Sequence, residues 1–143
     1  MRIMGLDIGK KRIGIALSDE LMITAQPFEV LKSTSFNKDC SHIIALAEEK
    51  SVTEIVLGLP LHMSGEEGDM AERVKRYQGI FHDEIKERKL NIKTTLWDER
   101  LSTSAVTKTL IEGGARRSER KEVVDKLAAA YILQGFLDYR SRQ

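Results

Sequence analysis

MRIMGLDIGKKRIGIALSDE, residues 1–20, decides the fold. Arg2 to Ile8 is short, apolar and bounded by glycine, the pattern of a buried strand, and a single carboxylate, Asp7, stands near its end. Gly9 to Arg12 turns the chain. Ile13, Ile15 and Leu17 then alternate with Gly14, Ala16 and Ser18, which predicts a second strand with one bulky and one small face. The small face, with Gly5 and Gly9, lets something approach the backbone closely. An acid is thereby planted at the tip of a central strand, beside a thin-walled hairpin. Taken alone, Asp7 is an ordinary turn aspartate bonding its local backbone. A catalytic reading requires other acids to converge on it.

A chain of 143 residues forms one domain, 1–143, large enough to bury a core without staples. Its single cysteine, Cys40, excludes an internal disulfide and any cysteine-based zinc site. Asp7 and the Lys10-Lys11-Arg12 cluster interrupt the opening apolar run too early for a secretory signal, and no uncharged stretch is long enough to cross a bilayer. The expected location is the cytoplasm, with no membrane partner. The net charge of +1 hides two basic clusters, Lys10, Lys11 and Arg12 in the first turn and Arg116, Arg117, Arg120 and Lys121 near the C-terminus. Such patches suit a phosphate-backbone partner, and a solvated charged loop explains each equally well on its own.

Working outward, Ile23 to Leu31 reads as a third strand, in which Pro27 demands an edge position or a bulge. Cys40, Ile43, Ile44 and Ala47 recur at helical spacing and predict an amphipathic helix over about 39–50. A short strand, Glu54 to Leu57, ends at Gly58-Leu59-Pro60 and opens into a loop from Leu61 to Asp69. A helix over about 70–88 carries Val74, Tyr77, Gln78, Phe81 and Ile85 on one stripe, and a fifth strand runs from Asn91 to Trp97. Ser102 or Thr103 caps a short helix to Glu112. The last helix, about 119–139, is apolar on more than one side and therefore lies against the sheet. The expected class is α/β: a five-stranded mixed sheet, its first three strands an antiparallel meander, with helices packed on both faces.

Two further acids need explaining. On a helix, Asp125 shares its face with Ala128, Ala129, Ile132 and Phe136, so its carboxylate needs a cation, a donor or a metal. A salt bridge to Lys121 one turn earlier would also satisfy it. Asp98 and Glu99 stand where the fifth strand ends, at the carboxyl end favoured by ligand sites in such sheets. They would also suit the N-terminus of a following helix. Bringing Asp7, Glu99 and Asp125 together changes the physics, because two unit charges about 4 Å apart repel by about 4 kcal/mol at an effective dielectric near 20. A cation among them relieves this, and Mg²⁺, which takes hard oxygen ligands and keeps places for water and phosphate oxygens, suits the set. Paired ions of this kind hydrolyse phosphodiesters.

DIGKKRIGIALSD, GLPLHMSGEEG, WDERLST and DKLAAAYILQGFLD together closely resemble the YqgF family over nearly the whole chain. The resemblance implies a ribonuclease-H-like fold related to the RuvC Holliday-junction resolvases. It also implies a nuclease activity assigned to 5′-end maturation of pre-16S ribosomal RNA. By that resemblance Asp7, Glu99 and Asp125 are the catalytic metal ligands, for Mg²⁺ or Mn²⁺. Gly58, Pro60, Gly65 and Gly68 match the family's glycine-proline loop bordering the substrate, and Arg100 matches the arginine beside the catalytic glutamate. Lys10 departs from the small polar or acidic residue often found at its position, which bears on substrate contact along with Lys11, Arg12, Arg116 and Arg117. His62 in the loop is expected to be an exposed residue.

Competing readings remain. DIGKKRIG also resembles the phosphate hairpin of actin-like ATPases and sugar kinases, but those place the nucleotide between two such domains and no second hairpin follows here. Resolution of four-way DNA junctions would require a dimer presenting two sites, and a monomer or weak homodimer is all the sequence supports. A nucleic-acid-binding module with a weak site is the non-enzymatic alternative. With few aromatics for stacking bases, recognition would rest on backbone and shape.

Overall fold

In the computed structural model, which describes residues 1–60, 68–98 and 117–142 (117–126 as backbone alone), five strands form one mixed sheet. These are β1 (Arg2–Ile8), β2 (Arg12–Ser18), β3 (Ala25–Lys32), β4 (Val52–Leu59) and β5 (Lys93–Asp98). They lie in the order β3-β2-β1-β4-β5. The first three are antiparallel, and β4 and β5 run parallel to β1. Three helices complete the described fold: α1 (Phe36–Glu49), α2 (Asp69–Glu87) and α3 (Arg117–Ser141). The expected meander, mixed sheet and two covered faces are all present. The short helix expected over 102–112 lies outside the described residues.

The pleat sorts the side chains into two cores. Met4, Leu6 and Ile8 of β1, Ile13, Ile15 and Leu17 of β2, and Ile55 and Leu57 of β4 pack beneath α1 and α2, against Ile43, Val74, Tyr77 and Phe81. The opposite face carries Ile3, Ala16 and Val56 under Ala129, Ile132, Leu133 and Phe136 of α3. The small face of the hairpin is therefore the seat of the last helix. Gly5, paired with Ala16, is the tightest point: a Cβ there would stand 2.7 Å from Leu133 Cβ and 3.0 Å from the Ala129 carbonyl oxygen. Only glycine lets the helix backbone come so near.

Pro27 satisfies both expected conditions, since β3 is an edge strand and its register slips between Ile15 and Ala16, where Phe28 is passed over. β1 spans Arg2–Ile8 as expected, while the other strands and the helices differ from the sequence reading by one to three residues at one or both ends. At α1 the reason is a cap: Ser35 Oγ accepts the Lys38 N–H at 3.2 Å and starts the helix at Phe36 rather than near Asp39. At β4 the ladder with β1 continues outward to Val52, beyond the apolar run. Gln134 fastens α3 to the β2–β3 corner, its amide oxygen accepting from Ala25 N at 2.9 Å and its nitrogen donating to the Ile23 carbonyl at 3.0 Å.

Candidate active site

β1, β4 and β5 are parallel, so their carboxyl ends fall along one edge of the sheet. Asp7 is on β1, the third strand of five, half-buried and paired with Gly14. Alternation puts Asp7 on the face of Ile3 and Gly5, the face that α3 covers. Gly14, with no side chain, leaves room beside it. On β4, Gly58 stands opposite Trp97 and is buried, and Pro60 follows the strand half-buried. Asp98 closes β5 opposite Leu59, half-buried and engaged with a partner.

Among the other expected site residues, Lys10 and Lys11 are exposed in the β1–β2 turn, closed by the Gly9 N–H to the Arg12 carbonyl at 2.8 Å. Arg12 opens β2 half-buried, two residues before Gly14 and hence on the face of Asp7. Its Nη1 is buried with no hydrogen-bond partner among the described residues. Gly68 is the N-cap of α2 with extended backbone and offers no side-chain cap. Arg117 and Asp125 belong to the backbone of α3, and their side chains lie outside the described residues. Glu99, Arg100, Arg116, Gly65 and His62 lie outside the described residues altogether. Among the described residues no three His, Cys, Asp or Glu side chains gather as metal ligands; Asp7 is the one proposed ligand whose side chain belongs to that set.

Sequence reasoning missed a second carboxylate centre close to this edge. Asp39 is 2% exposed and accepts from Ser33 Oγ at 2.6 Å, Tyr77 Oη at 2.7 Å and the Thr34 N–H at 3.1 Å. Burial alone pushes its carboxyl upward, but those three hydrogen bonds with the nearby charge of Arg73 leave it below its ordinary value. Burial, together with the charge of Asp39, pushes Tyr77 upward, so the phenol keeps its proton and remains a donor. The available signal was the position of Asp39, four residues before Ile43 and therefore on the buried stripe of α1. Arg73 was also missed. Its Nη2 donates to the Lys10 carbonyl at 3.2 Å and ties α2 to the turn after Asp7, a link across 63 residues with no local signature.

Comparison with known proteins agrees with this architecture. A family profile described as "RuvX: Holliday junction resolvase" matches residues 1–139. A protein of Carboxydothermus hydrogenoformans named "Putative pre-16S rRNA nuclease" is 46% identical over 142 residues, spanning 99% of this chain and 99% of its own. One of the same name from Myxococcus xanthus is 47% identical over 138 residues, 96% of this chain and 88% of its own. Among solved structures, T. thermophilus RuvC in complex with Holliday junction substrate superposes with a TM-score of 0.63 at 14% identity, over 100% of this chain and 97% of that one. The yeast mitochondrial Holliday junction resolvase gives a TM-score of 0.57 at 14% identity, over 98% and 79%. At that identity the likeness is one of fold.

Proposed function

Because the chain belongs to the RuvX family, we propose that it is one nuclease domain, 1–143, that hydrolyses phosphodiester bonds in the maturation of the 5′ end of pre-16S ribosomal RNA. The observation that carries this reading is the half-buried Asp7 at the carboxyl end of the central strand, in a chain near half identical to proteins named as pre-16S rRNA nucleases.

In this reading Asp7, Glu99 and Asp125 hold Mg²⁺ or Mn²⁺. Asp7 fits such a group: it is a hard oxygen donor, half-buried beside Gly14, where a side-chain wall would otherwise stand. Support for Asp125 comes from the Gly5 contact. Asp125 precedes Ala129 by one helical turn on the stripe that ends at Leu133, and Asp7 follows Gly5 by one strand repeat on the same sheet face. Each acid is thus about 6 Å from the Gly5–Ala129 contact along its own element. The bound metal supplies activation of water and stabilisation of the leaving oxygen. The chain's own residues bind and orient the strand. Lys10, Lys11, Arg12, Arg100, Arg116 and Arg117 take phosphate oxygens, while Gly58, Pro60, Gly65 and Gly68 let the backbone approach. Among the described residues no helix is long and apolar enough to cross a membrane, and an RNA substrate of this kind fits a cytoplasmic protein.

The family description favours a second reading, cleavage of four-way DNA junctions. Incubation of the protein and Mg²⁺ with a pre-16S RNA carrying its immature 5′ end, and separately with a synthetic four-way junction, decides between them. Cleavage of the RNA, reduced by orders of magnitude in Asp7→Asn, Glu99→Gln and Asp125→Asn, is the expected result. Paired incision of the junction with the RNA untouched would transfer the assignment to DNA. Unimpaired cutting by Asp7→Asn would remove the mechanism.

A further inference from the structure

The same edge of the sheet carries a cleft on the opposite face, away from α3. It has a volume of about 640 Å³ and lies between the β1–β2 turn, the start of α1 and the first turns of α2, lined by Lys10, Phe36, Arg73 and Arg76 and by the acids Asp69 and Glu72. We infer that this cleft is a second contact for the nucleic-acid backbone, receiving phosphates of the strand that flanks the cut. The inference rests on the nuclease reading and extends it from the cleavage centre to the path of the substrate.

Three observations converge. First, the cations are held in place before any ligand arrives. The Arg76 guanidinium stands 4.0 Å from the centroid of Phe36, and that of Arg73 stands 4.9 Å from the same ring and 5.5 Å from Tyr77. Arg73 is further fixed by the Lys10 carbonyl, while its Nε is buried with no hydrogen-bond partner among the described residues. Stacked guanidiniums lose little additional freedom on meeting a phosphate, which favours binding. Second, the aromatic surface is already taken. Phe36 is covered by two guanidiniums and by Tyr77, whose ring centroid is 4.6 Å away, so the cleft offers charge and not a base-stacking platform. Backbone, not sequence, is what such a surface reads. Third, Lys10 joins the two faces. It follows Asp7 by three residues in the turn at the sheet edge, and it also lines the cleft. A polymer crossing that edge meets both, whereas a free small anion has no reason to. The two acids of the lining make a further demand: with a phosphate strand passing, Asp69 and Glu72 repel it, so neutralising them should tighten binding.

The test measures fluorescence anisotropy in the Asp7→Asn protein, which is expected to bind without cutting, with two labelled probes, a pre-16S 5′-end RNA and a four-way DNA junction. In that background Lys10→Gln with Arg76→Gln should weaken binding by about 10-fold near 0.1 M salt and lower the slope of log affinity against log salt by about one per lost contact. Asp69→Asn with Glu72→Gln should strengthen it. A response with either probe supports the cleft and names the strand it takes. The Asp69→Asn with Glu72→Gln protein, changed only at exposed cleft residues that the cleavage centre does not use, keeps the test valid should loss of the Arg76–Phe36 stacking disturb folding. Unchanged affinity and slope in the basic variants, or weaker binding in the acidic ones, would overturn the inference while leaving the nuclease reading intact. Failure of the Asp7→Asn protein to bind either probe would instead sink that reading.

Discussion

Glu54 Oε1 and Arg140 Nη2 meet at 2.7 Å, joining β4 to the end of α3. The glutamate is 5% exposed, and its other oxygen accepts from Thr95 Oγ1 at 2.6 Å. Arg140 also lies over Phe136, 4.8 Å from the ring centroid, next to a cluster in which Trp97 meets Phe136 and Tyr139. This clamp fixes the C-terminal half of the helix that carries Asp125. Removing one partner of a buried pair costs more than the pair contributes, because the other charge is stranded. Arg140 is 45% exposed side chain, which moderates the effect. Arg140→Ala should therefore lower unfolding free energy by about 2 kcal/mol in urea titrations. Glu54→Gln with Arg140→Ala should cost less than the sum of the single changes.

The Asp39 centre predicts a pH dependence with a definite sign. Its folded pKa is lowered, so its contribution to stability is present above the unfolded value, about 3.9, and is lost as pH falls through the folded value. The stability difference between wild type and Asp39→Asn should accordingly be full at neutral pH and should shrink below about pH 4. Tyr77→Phe deletes one of three donors without changing the fit of the ring. It should cost about 1–2 kcal/mol at neutral pH and move the acid-unfolding midpoint upward. Equal acid midpoints in Tyr77→Phe and wild type would show that the phenol does not support the carboxylate.

The hairpin, the bulged edge strand and the helix that seats on the small face were legible because each rests on a local period or a single residue with one physical use. Gly14, Ala16 and Ser18 announced a close approach, and Pro27 an edge. Glu54 and Arg140 left no such trace. They come from distant elements, and a glutamate inside an apolar strand reads as an exposed residue until the helix bearing its partner is in place. Asp39 was legible by the reasoning used for Asp125, since both stand on the apolar stripe of a helix. The convergence of Asp7 with Glu99 and Asp125 came from chemistry and resemblance. Asp7 alone of the three is described here with its side chain.

If those three carboxylates share one pocket, the metal-free protein carries their mutual repulsion as a destabilisation. Mg²⁺ at about 100 times its Kd should then stabilise the fold by about 2.7 kcal/mol, a rise of several degrees in Tm. Asp7→Asn should raise Tm in EDTA and shrink the rise on adding Mg²⁺. Differential scanning calorimetry with and without the ion reads both effects, independently of any cleavage assay. A full Mg²⁺-induced rise in Asp7→Asn would exclude that aspartate from the metal site.

Gly5 tests whether the seat of α3 governs the chemistry. A methyl group there would meet Leu133 Cβ at 2.7 Å and the Ala129 carbonyl at 3.0 Å, and the second contact is backbone that cannot swing away. The helix must lift or slide, and overpacking of this kind costs about 1–3 kcal/mol. Asp125 lies on the same stripe one turn before Ala129, so the displacement carries over to its carboxylate. Misplacement by about 1 Å can cost about 100-fold in rate. Gly5→Ala should therefore remain folded at 25 °C, with urea stability down by about 2 kcal/mol, and yet cleave at least about 10-fold more slowly. Gly79→Ala is the control: nothing lies within 4 Å of its Cβ on α2, so it should add about 0.5–1 kcal/mol of stability and leave cleavage unchanged. A Gly5→Ala protein that loses stability but cuts at the full rate would uncouple the position of this helix from the reaction and would count against Asp125 as a metal ligand.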